Sequence, residues 1–447
     1  DGTIYGATWS DDAPGSDEYG GGIYLYDSEP TLSNLLITEN SATNGGGIYF
    51  ASASPTGLTP TLDNVLISSN TAANYGGGIA GWAYADFYIS NSTIENNSAG
   101  SGGGLAALQY FDPYLDNVTI RGNTATSSGG GVFGKSATTI TISNSVISNN
   151  TATAGGGIQA GDSYCILTMD HSLLSGNSAT GTGGGIYFWS TGTAYPLSLN
   201  NVTITDNLAD AGYGSGIYTS TAEPDLTVTN SILWENGDST QIHFAADTDP
   251  TLTISYTDLE DGESGITDVG TVTWGNGNIN ADPMFVDTAN ANYHLLASSR
   301  CINGGNPGST ADSDGTVADM GPYPYLNSYS GPTWYITEEG NDTTATGASD
   351  DPFRSIQAGI NFSSDADSVT VAAGTYVENI NFNGKNITVE SSDGPDATVI
   401  DGDQNGSVVK FNSGEDYTAS LIGFTIQNGL DVYGGGLEIT ANFQPTL

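Results

Sequence analysis

The residues best suited by type and spacing to do chemistry are three aspartates around Gly315. Asp312, Asp314 and Asp319 lie within one short segment, and carboxylates are the hard oxygen ligands that Ca²⁺ collects in groups of about six to eight. The segment lacks the helix–loop–helix pattern and the closing glutamate of the common calcium loop. It therefore predicts a calcium site, with a solvated turn at one end of the fold as the alternative.

The composition limits the partners of the chain. Of its 447 residues 50 are acidic and 6 basic, which gives a net charge of −44. Nucleic acid and anionic membrane surfaces attract clustered Lys and Arg, and no apolar run reaches the length of a membrane span. We expect no nucleic-acid binding, no membrane insertion and a secreted, extracellular or cell-surface location. Cys165 and Cys301 are far apart in apolar surroundings, so we expect buried free thiols rather than a disulfide.

One phrase recurs through the first half of the sequence. An Asn opens a short apolar/polar alternation, a second Asn follows six residues later, and a glycine run then leads into Ile, Leu or Val. A period of this length indicates one turn of a solenoid or one blade of an array. The second Asn falls at Asn40, Asn70, Asn97, Asn123, Asn150, Asn177 and Asn207, at intervals of 30, 27, 26, 27, 27 and 30 residues.

Each repeat holds about three period-2 runs rich in Val, Ile, Thr and Tyr, which are short strands. We therefore predict an all-β, right-handed parallel β-helix with about three strands in each coil of 26–31 residues. A β-propeller blade would need four strands and a longer period. The one helix expected lies near 352–361, where an acidic residue and Pro352 precede apolar residues at helical spacing.

The second Asn of each phrase suggests a structural role. Asn tolerates the left-handed backbone of a sharp corner, and stacked inward amides can form a ladder along the axis. His171 occupies a position that Asn fills in other repeats. We interpret His171 as part of the stack rather than as a catalytic residue.

The chain divides into four sections by pattern. Residues 1–234 carry the repeat, 235–326 lose it and resemble the irregular end of a solenoid, 327–333 form a linker, and 334–447 begin with the helix and resume the strands.

The phrases of the last section resemble a known group of proteins. The stretches 374–380 and 386–389 resemble the N-terminal cap and first coils of pectate-lyase-like β-helix proteins. The Gly-Gly-Gly-Ile phrases resemble bacterial surface β-helix repeats, including polymorphic outer-membrane-type repeats, and 282–321 resembles the end of such domains. The resemblance implies the fold and leaves the activity open, because the group mixes enzymes with adhesive and structural proteins.

The order of the sections suggests assembly. Segment 282–321, which resembles the end of a β-helix domain, precedes segment 374–389, which resembles the start of one. The repeat phrase also continues when Thr446 and Leu447 are joined to Asp1, Thr3 and Ile4. We expect self-association head-to-tail through these residues into a filament or array. One period of a tandem array and a permuted domain are the alternatives.

The resemblance to pectate lyases implies an arginine base, carboxylate-bound calcium and further basic residues that hold an anionic sugar. The basic residues here are scattered, and the phrases of polygalacturonases are absent. We therefore expect a structural or adhesive protein that is not an enzyme. One alternative is a polysaccharide lyase or a glycoside hydrolase, and for the hydrolase a pair of carboxylates would suffice. The other is a monomeric carbohydrate-binding adhesin, marked by exposed rows of Tyr24, Tyr49, Tyr187 and Trp189.

Overall fold

The computed structural model describes the backbone of residues 2–5, and residues 19–53, 57–162, 164–189, 196–210, 213–220, 225–237, 240–245, 250–267, 270–440 and 445. The chain forms two compact units, Asp1–Ala281 with Met320–Pro322, and Asp282–Asp319 with Tyr323–Leu447. The division falls at 281 rather than at the expected linker 327–333. Segment 282–319 packs within the second unit, where Asn361 Nδ2 donates to the carbonyl oxygens of Ala297 and Ser299.

The first unit is a parallel β-solenoid whose strands stack in three sheets. Sheet 1 receives two strands from most coils: Gly2–Tyr5, Thr31–Ser33, Leu35–Thr38, Thr61–Asp63, Leu66–Ser68, Ala85–Ser90, Thr93–Glu95, Phe111–Asp116, Thr119–Arg121, Thr139–Ser143, Val146–Ser148, Ile166–Ser175, Pro196–Thr205, Asp225–Thr229, Ile232–Trp234, Thr251–Ser255, Asp258–Leu259 and Thr271–Trp274. Sheet 2 contains Ile23–Tyr26, Ile48–Ala51, Ile79–Trp82, Leu105–Leu108, Val132–Lys135, Ile158–Gly161, Ile186–Trp189, Ile217–Thr219, Ile242–Phe244 and Ile266–Thr267. Sheet 3 contains Ser41–Asn44, Thr71–Tyr75, Ser98–Ser101, Thr124–Ser128, Thr151–Ala152 and Ser178–Ala179.

The predicted pattern of inward apolar residues is confirmed in the bore of this solenoid. Ile79 pairs with Ile48 on one side and Leu105 on the other, and all three side chains are fully buried. The same register continues coil after coil through sheet 2. Such stacking removes equivalent apolar side chains from water in every coil, which is the main stabilising term available to a solenoid.

The glycine runs are required by the distance between coils. Gly102 has a φ of +67°, a region that only Gly occupies without strain. A Cβ on Gly103 would lie 2.5 Å from the carbonyl oxygen of Gly130 in the next coil, and one on Gly104 would lie 2.7 Å from that of Gly131. The run therefore allows the backbones of neighbouring coils to approach closely.

The expectation that the second Asn of each phrase supplies the left-handed corner is wrong. Positive φ occurs at the first Asn, as at Asn117 (54°), and at the residue just before the second Asn, as at Gly122 (63°). Asn123 itself has no positive φ. The residue before it makes the corner, so the Asn123 side chain can point into the bore.

The second unit also carries three short parallel sheets. They contain Thr333–Ile336, Ser368–Val371, Thr388–Ser391 and Ser420–Ile422; Gly374–Val377, Thr398–Asp401 and Thr425–Gln427; and Ile380–Asn381, Val409–Phe411 and Leu437–Ile439. An antiparallel pair, Phe285–Asp287 with Asn292–Leu295, precedes them. Two 3₁₀ turns, Gly262–Gly265 in the first unit and Thr288–Asn290 in the second, complete the elements.

The α-helix is Ile356–Phe362, shorter than the predicted 352–361. Ser355 is its N-cap, and the carboxylate of Glu378 accepts hydrogen bonds from the backbone N of Ile356 and Gln357. The acidic residue and proline before the helix do not cap it, because Phe353 pairs with Ile336 instead. No helix in the described part of the chain is long and apolar enough to cross a membrane.

Candidate functional site

Two neighbouring strands of sheet 1 carry an Asp and a Tyr at matching outward positions. Ala85–Ser90 and Phe111–Asp116 run parallel with Asp86 opposite Asp112 and Tyr88 opposite Tyr114. Because side chains alternate along a strand, Phe87 and Phe111 point into the core and are fully buried. The aspartates and tyrosines are left on the outer face.

The tyrosines of these coils stack in pairs. Tyr84 and Tyr110 have ring centroids 5.2 Å apart with planes 5° from parallel, and Tyr88 and Tyr114 lie 4.7 Å apart at 9°. Tyr84 is 38% exposed, Tyr88 40% and Tyr110 52%. We call these four tyrosines, with Asp86 and Asp112 between them, the tyrosine platform.

The carboxylates of the platform are held differently. Asp112 Oδ1 accepts a hydrogen bond from the backbone N of Thr139 at 2.6 Å. Burial raises the pKa of Asp112, the Thr139 hydrogen bond opposes this, and the nearby Asp86 raises it further. Asp86 accepts no hydrogen bond from any described residue, and neither strand contains Lys or Arg. The platform therefore combines apolar ring faces with uncompensated acceptor groups.

A second set of aromatic residues lies on sheet 2. Tyr24 stacks on Tyr49 at 5.8 Å and 2°, and Tyr24 and Tyr26 are half exposed. Tyr49 is buried, whereas Tyr187 and Trp189 are partly covered. Of the residues expected to form exposed rows, Tyr24 alone presents much of its surface.

The platform itself was missed because the sequence search followed the residues after the glycine runs. Its signal was available, since Tyr84 and Tyr110, and Tyr88 and Tyr114, are each separated by the local period of 26 residues.

An open groove of about 540 Å³ lies on the outer side of sheet 1. Leu36, Leu66 and Asn91 line it together with Glu95 and Arg121. Arg121 places Nη2 2.7 Å and Nε 2.8 Å from Glu95 Oε2. A basic residue beside a carboxylate is one feature expected of a polysaccharide-degrading site, but here the guanidinium forms an ion pair with Glu95.

The seven asparagines of the repeat phrase form one continuous ladder. In each step the side-chain Nδ2 of one Asn donates to Oδ1 of the next at 2.9–3.0 Å. The backbone N of each also donates to the same Oδ1. Asn207 Nδ2 donates in the same way to Asn236 Oδ1, so the ladder extends to Asn236, a residue that was not among the predicted ladder positions. These amides are buried and bonded, and their geometry fits a role in stacking the coils.

His171 lies at a corner position that Asn occupies in other coils, as the sequence predicts. It has a φ of 42°, like the corner asparagines, and its neighbours pair in register with those of Asn201. Its Nδ1 lies 2.9 Å from Asp170 Oδ2.

The three aspartates of the expected calcium site bind backbone groups. Asp319 accepts from the backbone N of Asn303 and Tyr325, Asp314 accepts from that of Thr316 and Asn327, and Asp312 accepts from that of Asp319. No group of three or more His, Cys, Asp or Glu among the described residues is arranged to hold a metal. Calcium binding stays a prediction, which calorimetric titration with CaCl₂ would test.

The remaining expectations concern chain ends and thiols. Asp1, Thr446 and Leu447 lie outside the described residues, while Thr3 and Ile4 belong to the strand Gly2–Tyr5, which pairs with Leu35–Thr38. Cys165 and Cys301 are buried thiols that form no disulfide, as expected. Burial raises the pKa of the Cys165 thiol to about 12, so it is not a nucleophile at neutral pH.

Comparison with known proteins supports this architecture. Residues 21–202 match the model of the right handed beta helix region. The chain folds as a right-handed parallel β-helix. No protein with a curated function matches it. A solved structure of the family 6 polysaccharide lyase AlyGC, an alginate lyase studied as a mutant, matches with 11% identity over 96% of this chain and 70% of that one, at a TM-score of 0.21.

One expectation is corrected here. The prediction that the β-helix protein is not an enzyme is wrong as stated, because the β-helix fold that residues 21–202 match does not decide between an enzyme and a structural protein. At a TM-score of 0.21 the match assigns no catalytic residue to this chain.

Proposed function

We propose that this β-helix protein is an extracellular adhesive protein that binds a polysaccharide through the tyrosine platform. The observation that carries the proposal is the pair of stacked, outward tyrosine pairs in adjacent coils. Sugar rings present C–H faces that pack on aromatic faces and hydroxyl edges that hydrogen-bond to carboxylates. The strongly acidic composition supports the extracellular part of the proposal, since high net charge keeps a protein soluble.

The backbone at the platform also supports a binding role. Tyr84 and Tyr110 have φ values of 49° and 61°, where a bulky side chain costs about 1–2 kcal/mol. Asn occupies such positions at other corners of the solenoid, as at Asn91 and Asn117. Backbone outliers of this kind cluster at binding sites, and here they carry two rings that stack on each other.

A pull-down on insoluble polysaccharides tests this proposal. Tyr84→Asn with Tyr110→Asn should weaken retention on cellulose or chitin at least tenfold and leave the fold unchanged, because Asn tolerates the same backbone. Tyr164→Asn is the matched control, since Tyr164 has a φ of 65° and is 64% exposed outside the platform. Equal losses in both variants, or no retention of the wild type on any polysaccharide, would remove the platform as the binding site.

The second part of the proposal is head-to-tail assembly of the chain. Strand edges and exposed apolar residues of the second unit support this part. Among the described residues, Ser420–Ile422, Thr425–Gln427 and Leu437–Ile439 each pair along one edge only. Val432 and Tyr433 in the same coil are 90% and 85% exposed. Free strand edges and exposed apolar residues promote association.

Sedimentation velocity tests the assembly. The sedimentation coefficient should rise with protein concentration, and Val432→Asp should suppress the rise, whereas Val377→Asp, at another exposed valine, should not. A single monomeric species at all concentrations contradicts this part.

A further inference from the structure

We infer that the tyrosine platform selects polysaccharides whose sugars carry protonated amines. This inference rests on the proposed function and names its ligand class. It starts from the position of the carboxylates. Asp86 lies two residues from Tyr84 and two from Tyr88 on one coil, and Asp112 repeats the arrangement between Tyr110 and Tyr114. At a rise of about 3.3 Å per residue, Asp86 and Asp112 lie about 7 Å along the strand from Tyr88 and Tyr114, and Tyr84 and Tyr110 lie at the corner that precedes each strand.

A sugar that stacks on one tyrosine column therefore places a ring substituent over the aspartates. Asp86 and Asp112 are on neighbouring strands of a parallel ladder, so their backbones are about 4.8 Å apart. Asp86 accepts no hydrogen bond from the described residues, and Asp112 uses Oδ1 for Thr139 and leaves Oδ2 without a protein partner among them. An ammonium group has three donors and fits two such acceptors.

The negative charge of the platform favours binding of an amine over a neutral or anionic ring substituent. No Lys or Arg occurs on the two platform strands, and the neighbouring outward residues Asp63 and Asp116 add negative charge. Asp63 receives hydrogen bonds from Ser90 and Asn91, and Asp116 from Ser143 and Asn144, so these two carboxylates are already partnered. A uronate carboxylate would be repelled here, while an ammonium group would meet two acceptors that lack a counter-ion.

The general acidity of the chain offers a competing explanation, since a net charge of −44 attracts any polycation. Asp225 separates the two explanations. It lies in the same outward column of sheet 1, opposite Pro196 and exposed, but the next outward residue on its strand is Thr227 rather than a tyrosine. Asp225→Asn changes the charge of the chain as Asp86→Asn does, and it leaves the platform intact.

Calorimetry with three β-1,4-linked tetrasaccharides tests the inference on the full chain. Cellotetraose, the glucosamine tetramer and the N-acetylglucosamine tetramer differ only at C2, which carries a hydroxyl, an amine or an acetamide. The wild type should bind the glucosamine tetramer at least tenfold more tightly than the other two. Asp86→Asn should remove most of this preference and keep the affinity for cellotetraose, while Asp225→Asn, which changes the net charge by the same amount, should retain the preference.

Four outcomes would overturn the inference. Equal losses in the Asp225→Asn and Asp86→Asn variants would show non-specific attraction of a polycation. Cellotetraose binding without an amine preference would reject the inference and leave the proposed function standing. If none of the three tetrasaccharides binds while an insoluble polysaccharide still retains the wild type, the amine selectivity fails and the proposed function stands. If neither the tetrasaccharides nor any insoluble polysaccharide binds, the proposed function fails together with the amine selectivity.

Discussion

Tyr84 and Tyr110 stack with their ring planes 5° from parallel, although both residues hold left-handed backbone conformations. The two rings belong to adjacent coils at the same corner between sheet 2 and sheet 1. Folding alone would favour Gly or Asn at this corner. The tyrosines therefore occupy this corner at a local conformational cost, and the proposed binding of polysaccharide gives their side chains a role.

The first prediction separates binding from stability at this corner. Tyr110→Gly relieves about 1–2 kcal/mol of backbone strain and loses a ring pair worth about 0.5–1.5 kcal/mol. The free energy of unfolding should thus change by no more than about 1.5 kcal/mol, while the affinity for the polysaccharide that retains the wild type falls at least tenfold. Denaturant unfolding and calorimetry measure the two quantities. A large stability loss with unchanged affinity would give Tyr110 a purely structural role.

The second prediction concerns the asparagine ladder. Asn123→Ala removes the acceptor used by the backbone N and Nδ2 of Asn97 and leaves buried groups unpaired. Each such group costs about 1–3 kcal/mol, so the first unit should lose about 3 kcal/mol in the free energy of unfolding. Chemical denaturation followed by tyrosine and tryptophan fluorescence measures the loss.

Asn117→Gly is the control for the ladder. Asn117 is exposed at a left-handed corner that Gly also tolerates. Its hydrogen bond to Asn91 lies at the surface, so the loss should stay below about 1 kcal/mol. Similar effects at Asn117 and Asn123 would contradict a special contribution of the buried ladder.

The third prediction is a pH dependence of the second unit. Burial raises the pKa of Asp319 to about 8, against the opposing effect of hydrogen bonds from Asn303 and Tyr325 and with a further increase from Asp312 and Asp314. An unfolded Asp titrates near about 4. Between these values the folded state keeps a proton that the unfolded state releases, so the free energy of unfolding falls as pH rises from about 4 to about 8.

Asp319→Asn removes this titration. Melting temperatures between pH 5 and pH 8 should fall for the wild type and change less for Asp319→Asn, while Asp350→Asn at an exposed position should keep the wild-type slope. Parallel slopes in all three proteins would show that Asp319 does not control the pH response.

Much of the fold could be predicted because residues that make equivalent contacts in successive coils recur at a regular spacing in the sequence. The spacing of Asn97, Asn123 and Asn150 equals one coil, so a periodic phrase was sufficient to predict strands, stacking and the ladder. The left-handed corner was assigned to the wrong residue, because sequence spacing does not tell which of two adjacent polar residues turns and which points inward. Glu378 was missed as a helix cap because it comes from a strand more than twenty residues later.

The candidate site was less predictable. The exposure of each tyrosine determines whether it can contact a ligand. Tyr49 is buried by neighbouring coils, and sequence spacing alone does not predict that burial. The residue types of Asp312, Asp314 and Asp319 could be read from the sequence, but their hydrogen bonds to backbone N–H groups of an irregular segment could not. Calcium binding at these residues stays a prediction.

Hydroxyl-radical footprinting read by mass spectrometry tests the central claim most directly. With a bound polysaccharide, oxidation of Tyr84, Tyr88 and Tyr110 should drop severalfold, while Tyr417, which is strongly exposed in the second unit, should react as before. Protection of Tyr417 equal to that of the platform, or unchanged oxidation of Tyr110 in the complex, would contradict polysaccharide binding at the tyrosine platform.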